Sequence, residues 1–371
     1  MVTVIEESNV DLLELFDQVS EDARKEKMAV PPINEMLYWW TRKPLVVGRA
    51  IALASTLSDI KAVKDLIGLG RDKRAYNYIP DAGVYKKKLG KDPSEIKILD
   101  PFGGGGNLIF EAKRLGLDCT VSDYNPVAYL LEKAVLDYPP KYGPKLAEDF
   151  EKYARLVIEK TKEEIGKFYE KNDLIYFWVW CVKCPHCGQR VPLTNQMWMA
   201  NNDKNKIGMR FEVTPNKNFK TELIRNMTAT EGKKFTQKGG KATCISCKNP
   251  INYEDLTKDI AIRQDRELIA KQTQGIKNRG YVLTTEKDNL LFKKASKYME
   301  SKLNEYEKEN LIPMELIKPS HQDTLSHFGI IHWSNFFNSR QLLLLSSLLK
   351  NMKKVIEDIS DIEFYKVIGL Y

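Results

Sequence analysis

The stretch KILDPFGGGGNLIFEAKRLGLDCTVSDYNP, Lys97 to Pro126, restricts the fold more than any other part of the chain. EIKILD is a short apolar run that fits a buried parallel strand ending at Asp100. Four glycines follow at once, and NLIFEAKRLG reads as a helix from Asn107 closed by Gly116. DCTVSD reads as a second strand and NPVAYLLEKAVLDY as a second helix. Right-handed crossovers make such a unit the first half of a doubly wound sheet, with a ligand at the carboxyl ends of the strands. The expected class is α/β.

Glycines between a strand and a helix let backbone N–H groups approach a ligand closely, because no Cβ intervenes. A Walker loop would place Gly-Lys-Ser/Thr here, but Asn107 and Leu108 follow Gly106. A dinucleotide fingerprint would place a third glycine where Leu108 or Ile109 stands, which argues against NAD and FAD. S-adenosylmethionine is the remaining ligand class that uses such a turn, and it has no pyrophosphate to cradle. An acid at the end of the second strand, Asp123, suits the two ribose hydroxyls of that ligand.

Outside this unit the chain of 371 residues has room for two or three domains, and 43% hydrophobic residues can fill a sizeable core. Helical spacing covers residues 9–26 and PLVVGRAIALAST from Pro44, followed by a polar, Lys-rich segment from Ser58 to Ser94. YPPKYGP at Tyr138 to Pro144 and VPPI at Val30 to Ile33 read as turns, and a charged helix is expected over about 146–171. A β-rich region then runs to about Tyr281, and helical spacing returns from Thr285 to the end. The expected organisation is a cofactor-binding part over 1–171, a zinc-bearing insert over 172–284 and a helical segment over 285–371. No run of 18 or more apolar residues occurs, QLLLLSSLL at Gln341 to Leu349 being short and broken by serines, so a soluble, cytoplasmic protein is expected.

Six cysteines in such a chain are read for metal before disulfides. Cys184 with Cys187, and Cys244 with Cys247, form two Cys-x-x-Cys knuckles, the ligand set of a structural Zn²⁺. Four thiolates leave no open position for catalysis. Cys181 and His186 are rival ligands, and Cys119 reads as a buried strand residue. The knuckles are 56 residues apart, and the segment between them is basic. From Asn201 to Thr243 ten Lys or Arg face four acids, with Phe211, Phe219 and Phe235 among them. With a net charge of +8, this points to nucleic acid as partner, contacted through its backbone by Lys233, Lys234, Lys238 and Lys241.

Asp100-Pro101-Phe102-Gly103-Gly104-Gly105 resembles motif I of the amino-group DNA methyltransferases, and Arg42-Lys43-Pro44 resembles the Lys-Pro segment that precedes motif I in them. Together with SDYNPVAYLLEKAVLDYPPKYG, the zinc knuckles and FFNSRQLLLLSSLL, the chain is similar to the N-terminal half of the adenine-specific DNA methylases of archaea and bacteria that contain a zinc ribbon. The resemblance implies a partial Rossmann-like methyltransferase sheet. It places Lys43, Pro44, Asp100, Pro101, Phe102, Gly103, Gly105, Asp123, Tyr124 and Asn125 around S-adenosylmethionine. It also implies DNA as substrate, with N6-adenine favoured over N4-cytosine.

In one respect the sequence departs from that family. Such enzymes orient the acceptor amine with Asp/Asn/Ser-Pro-Pro-Tyr/Phe/Trp, and neither YPPK nor VPPI meets that pattern. No catalytic residue is therefore assigned. The chain is expected to act with a second subunit that carries the motif, or to be a piece of a longer polypeptide. The rival readings are a non-catalytic DNA-binding adaptor with a relic pocket and an RNA methyltransferase.

Overall fold

The computed structural model describes residues 2–7, 10–29, 31–34, 39–70, 75–202, 205–275, 279–317, 325–359 and 362–371. Val30 of VPPI and Tyr38, at the head of the Trp-Trp-Thr-Arg-Lys-Pro segment, lie outside these residues. The chain forms two compact units, Met1–Ala154 with Ile356–Tyr371, and Arg155–Val355. Segments 172–284 and 285–355 thus fall in one unit. Among the described residues no helix is long and apolar enough to cross a membrane.

The first unit begins with α1 (Val4–Glu7), α2 (Val10–Ala29), α3 (Leu45–Ala54), α4 (Ile60–Ile67) and α5 (Ala82–Leu89). The Lys-rich segment therefore holds two helices. Each starts on an aspartate that accepts a backbone N–H, Asp59 or Asp81, and stops at a left-handed glycine, Gly68 or Gly90. β1 (Lys97–Asp100), α6 (Asn107–Arg114), β2 (Asp118–Val121) and α7 (Pro126–Glu132) follow. β1 and β2 pair in parallel, Lys97 opposite Asp118 through Asp100 opposite Val121.

Two expectations need correction here. β1 is not a fully buried strand: Ile98 packs on the core while Leu99 is 66% exposed. Among the described residues β1 has β2 as its one strand neighbour and no strand pairs with its other edge. YPPK is not a turn. The chain passes from α7 through a π-helical segment (Lys133–Asp137) into α8 (Tyr138–Tyr142), where Pro139 and Pro140 lie. Proline is tolerated at such starts because its missing N–H would have no intrahelical acceptor.

Packing then fixes α6, the helix behind the glycines. α3 is buried nearly all round, and Gly48 lets it cross α6 closely: a Cβ there would stand 3.1 Å from Leu108 Cα. Next to that crossing, Arg49 pairs with Glu111 at 2.8 Å, both side chains fully buried. Arg114 closes on the same carboxylate at 2.7 Å. On α2, Glu26 caps α3 by accepting the N–H groups of Leu45 (2.6 Å) and Val46 (3.1 Å). A buried pair of this kind adds little net stability, but loss of one partner strands a buried charge, so it fixes the register of α3 on α6.

α9 (Pro144–Ile165) leads into the second unit. There β3 (Asp173–Lys183) and β4 (Arg190–Leu193) precede a meander of β5 (Trp198–Asn202), β6 (Asn205–Val213) and β7 (Phe219–Arg225). The short α10 (Ala229–Gly232) then leads to β8 (Gln237–Lys238), β9 (Lys241–Thr243) and β10 (Pro250–Ile251), which form a sheet in the order β10-β9-β8. α11 (Tyr253–Arg263), β11 (Arg266–Gln274) and β12 (Arg279–Leu283) complete an antiparallel sheet ordered β12-β11-β3-β4. α12 (Glu286–Lys308) and α13 (Ser339–Glu357) share a core with Ile165 and Phe168 through Ala295, Met299, Tyr306 and Leu343. α14 (Ile362–Leu370) returns to the first unit, where Val367 and Ile368 pack with Leu146.

Candidate functional site

In the first unit the glycines turn the chain from β1 into α6 by extending the strand ladder. Ser122 N donates to Asp100 O and Gly103 N to Ser122 O, both at 3.0 Å. Gly104 and Gly106 take left-handed φ values of 56° and 76°. Gly103 is required for a different reason. A Cβ there would lie 2.2 Å from Val121 Cγ2 and 2.5 Å from Glu132 Oε1.

Asp123, beyond the end of β2, ties the two crossovers together. Its Oδ2 accepts Gly104 N at 2.9 Å and its Oδ1 accepts Asn125 N at 2.8 Å. Asn125 in turn caps α7 by accepting Val127 N, ahead of Pro126 at the first helical position. Asp100 accepts Phe102 N at 3.1 Å. Across the loop lies the segment before α3, anchored where Asn107 Nδ2 donates to Lys43 O at 2.7 Å.

These elements enclose a pocket of about 190 Å³ lined by Lys43, Asp100, Phe102, Gly103 and Gly105, together with Thr41, Arg42, Gly104, Asn107 and Leu108. That is less than the several hundred Å³ of a typical cofactor cleft. It suffices for one end of a ligand and leaves the rest at the open rim, where Phe102 is 83% exposed. Asp123 does not line the pocket and is linked to it only through the hydrogen bond from Gly104 N. Tyr124 is fully exposed, and Pro44, Pro101, Tyr124 and Asn125 do not line the pocket.

Sequence reasoning missed the lining residues Thr41, Arg42, Gly104, Asn107 and Leu108, and it missed Trp39 and Glu132, which pack against the loop without lining the pocket. Arg42 and Gly104 stand inside the Lys-Pro and glycine motifs themselves. Glu132 carries a weaker signal, an acid among the buried positions Ala128 and Leu131 of a helix. Its carboxyl is pushed up to about 7 by burial, with Asp123 and Asp100 adding like charge.

In the second unit the four cysteines meet. Sγ of Cys184 lies 3.8 Å from that of Cys247, and Cys187 lies 3.6 Å from Cys244. All four sulfurs are within 4.8 Å of one another, as one shared metal ion would require. The knuckles have the same backbone. Cys184 N donates to Gln189 O and Gly188 N to Cys184 O; Cys244 N donates to Asn249 O and Lys248 N to Cys244 O. Gly188 and Lys248 occupy the matching left-handed position, with φ values of 73° and 64°. Gln189 N–H holds the Cys187 thiol down at about 7, while burial pushes Cys184 up to about 12. The rival ligands point elsewhere: His186 Nε2 meets Pro250 O at 3.2 Å, and Cys181 is buried in β3 with Met209 and Phe219.

The basic segment is a built surface rather than a loop. Phe211 and Phe219 face inward, edge to face at 5.4 Å, so of the three phenylalanines Phe235 alone is exposed. Lys238 Nζ sits 5.2 Å from the Phe235 ring centroid. Gly239 and Gly240, both at positive φ, close a hairpin that sets Lys238 directly opposite Lys241. Lys233 and Lys234 follow α10, and all four lysines are exposed.

A family described as "Protein of unknown function (DUF1156)" matches residues 16–74, which span α2 to α4 and end before the glycine loop. No curated protein and no solved structure matches the chain.

Proposed function

We propose that this chain is the cofactor-binding part of an S-adenosylmethionine-dependent DNA amino-methyltransferase, with N6-adenine as acceptor, completed by a partner that carries the Asp-Pro-Pro-Tyr type motif. One observation carries the reading: the glycine loop, locked to the acid that ends β2 by Gly104 N to Asp123 Oδ2, encloses a pocket against Lys43. When bound, S-adenosylmethionine would supply the electrophilic methyl group. The chain would hold the ligand's amino-acid end in the pocket and exclude water there, while Asp123 keeps lone pairs for ribose hydroxyls. Positioning and desolvation are enough for in-line transfer to an amine, so no cysteine nucleophile is required.

The exposed Leu99 and the unpaired edge of β1 support a partner. A parallel strand is ordinarily buried between neighbours, and an open apolar edge invites pairing. Zn²⁺ fits the four cysteines, because Zn–S bonds of about 2.3 Å in a tetrahedron set sulfurs about 3.8 Å apart. Such a metal would hold β8 to β10 as a zinc ribbon. The facing Lys238 and Lys241 favour a polyanion, since like charges directly opposite on a hairpin repel until one is bridged.

Calorimetry with S-adenosylmethionine tests the reading. The chain alone should bind weakly, through the open rim, and Asp123→Ala should abolish binding. Unchanged affinity in that variant would remove Asp123 from the site.

A further inference from the structure

The second unit holds a cleft that involves neither the four cysteines nor the lysine hairpin. Its volume is about 570 Å³, against 190 Å³ for the pocket at the glycine loop, which brings it into the range of small-molecule sites. β3, β11, α12 and the segment that leads into α13 form its walls. Trp178 of β3 and Phe292 of α12 meet there, with ring centroids 4.7 Å apart, and the exposed Phe337 is a third aromatic lining residue.

Arg266 is the one cation among the residues that line the cleft. Its guanidinium carbon lies 3.8 Å from the centroid of the Trp180 ring, and the group donates to Asn335 O at 3.0 Å and to Phe336 O at 3.5 Å. No carboxylate pairs with it among the described residues, and burial alone pushes its pKa below the ordinary value. The one acid of the cleft, Glu300, is exposed on α12. A partly desolvated guanidinium without a counter-ion gains a strong charge-assisted hydrogen bond when an anion arrives. The amides of the cleft are set by the backbone. Asn335 Oδ1 accepts Ile331 N at 3.0 Å and His332 N at 2.8 Å, and Asn338 Oδ1 accepts Gln341 N at 3.0 Å, so neither NH₂ group has a partner among the described residues. Gln264 is held the other way round, with Nε2 donating to Phe328 O at 2.9 Å and Oε1 left over.

The lining therefore combines aromatic rings for a flat face, amides of both polarities for a polar edge, and a cation for a negative group. A nucleobase with its phosphate carries all three, whereas an aromatic peptide side chain lacks the edge and the charge. The adjoining turn indicates where the nucleotide comes from. Ser334 and Asn335 line the cleft, and in the same turn Trp333 (49% exposed) and Phe336 (39%) stack on each other at 5.9 Å and 25°. Exposed rings of this kind are platforms for successive bases of a strand.

We propose that the cleft takes one unstacked nucleotide of a single-stranded nucleic acid, its base against Trp178 and Phe292 and its phosphate on Arg266, with a neighbouring base on Trp333 and Phe336. The proposal goes beyond the methyl-donor reading and does not rest on it. It also differs from the contacts of the lysine hairpin, which address a backbone and are open to duplex and single strand alike. The acceptor base is a separate matter, since it belongs with the partner's motif beside the methyl donor.

A fluorescein-labelled oligothymidylate, the same strand annealed to oligoadenylate, and thymidine 5′-monophosphate are the probes, used on the full chain. Ser339→Trp fills the cleft from the first residue of α13 and leaves the contacts of Arg266 in place; Arg266→Gln removes the cation. Each variant should weaken the single strand roughly tenfold and barely affect the duplex, whose bases are already paired and stacked. Circular dichroism and the urea midpoint identify any variant that fails to fold, and Ser339→Trp decides the matter if Arg266→Gln does. In the wild-type chain, a strand carrying 5-iododeoxyuridine should cross-link on irradiation to peptides that contain Trp178, Phe292, Phe337 or Trp333. Unchanged affinity in a folded Ser339→Trp, equal weakening of strand and duplex, or cross-links confined to other peptides would overturn the proposal. Thymidine 5′-monophosphate bound as tightly as the strand would assign the cleft to free nucleotides and overturn the strand as its source. None of these outcomes bears on S-adenosylmethionine binding, which is measured separately.

Discussion

Glu132→Gln should make the first unit more stable at pH 8 relative to the wild-type chain than it does at pH 4. Glu132 is 4% exposed, and its Oε1 is buried without a partner beneath Gly103. Its folded pKa is raised from 4.5 to about 7. Below pH 4.5 the carboxyl is protonated in folded and unfolded chains alike and costs nothing through ionisation. Between pH 4.5 and 7 the folded chain binds the proton and the unfolded chain does not, so stability falls as pH rises; above 7 the full cost is present. At about 1.4 kcal/mol per pH unit this reaches about 3 kcal/mol, less to the extent that water reaches the carboxyl. Glutamine carries its own desolvation penalty, but that offset is independent of pH. The observable is therefore the slope of the difference between the two proteins. Hydrogen exchange in peptides from 97–121, followed through urea unfolding from pH 4 to 8, measures it. Parallel pH profiles would refute the reasoning, because they would mean that Glu132 ionises in the folded chain as readily as in the unfolded one.

The metal reading predicts one zinc per chain, absent from a Cys184→Ser/Cys247→Ser variant, with the sheet of β8 to β10 disordered while β1 and β2 stay protected from exchange. Metal analysis paired with hydrogen exchange checks this, and stoichiometric zinc in the variant would refute the ligand set. Neutralising Lys233, Lys234, Lys238 and Lys241 together should weaken DNA binding on every sequence and flatten the dependence of log K on log salt by about 0.9 for each phosphate that is no longer neutralised. A changed sequence preference at constant affinity would mean instead that the hairpin reads bases.

What could be read in the sequence, and what could not, divides by the range of the interactions involved. The turn from Asp100 into α6 and the two cysteine knuckles are local: a few adjacent residues dictate φ, hydrogen bonds and ligand spacing, and each stands where its residues imply. α4 and α5 are local as well, but the Lys-rich composition hides the Asp and Gly caps that mark their ends. Tyr138 to Tyr142 misleads for the opposite reason, because a proline pair reads as punctuation unless its place in a helix turn is considered. Phe211 and Phe219 turn inward because β6 and β7 pair in register, Phe211 opposite Thr221 and Val213 opposite Phe219, a long-range fact that composition cannot express. The charge state of Glu132 and the unpartnered indole of Trp39 are longer-range still. Each arises because segments distant in sequence close over Gly103 and Gly104, leaving a polar atom with no partner among the described residues. Motifs identify a backbone shape that many ligands share, but they do not express which polar atoms the packing around that shape leaves unpaired.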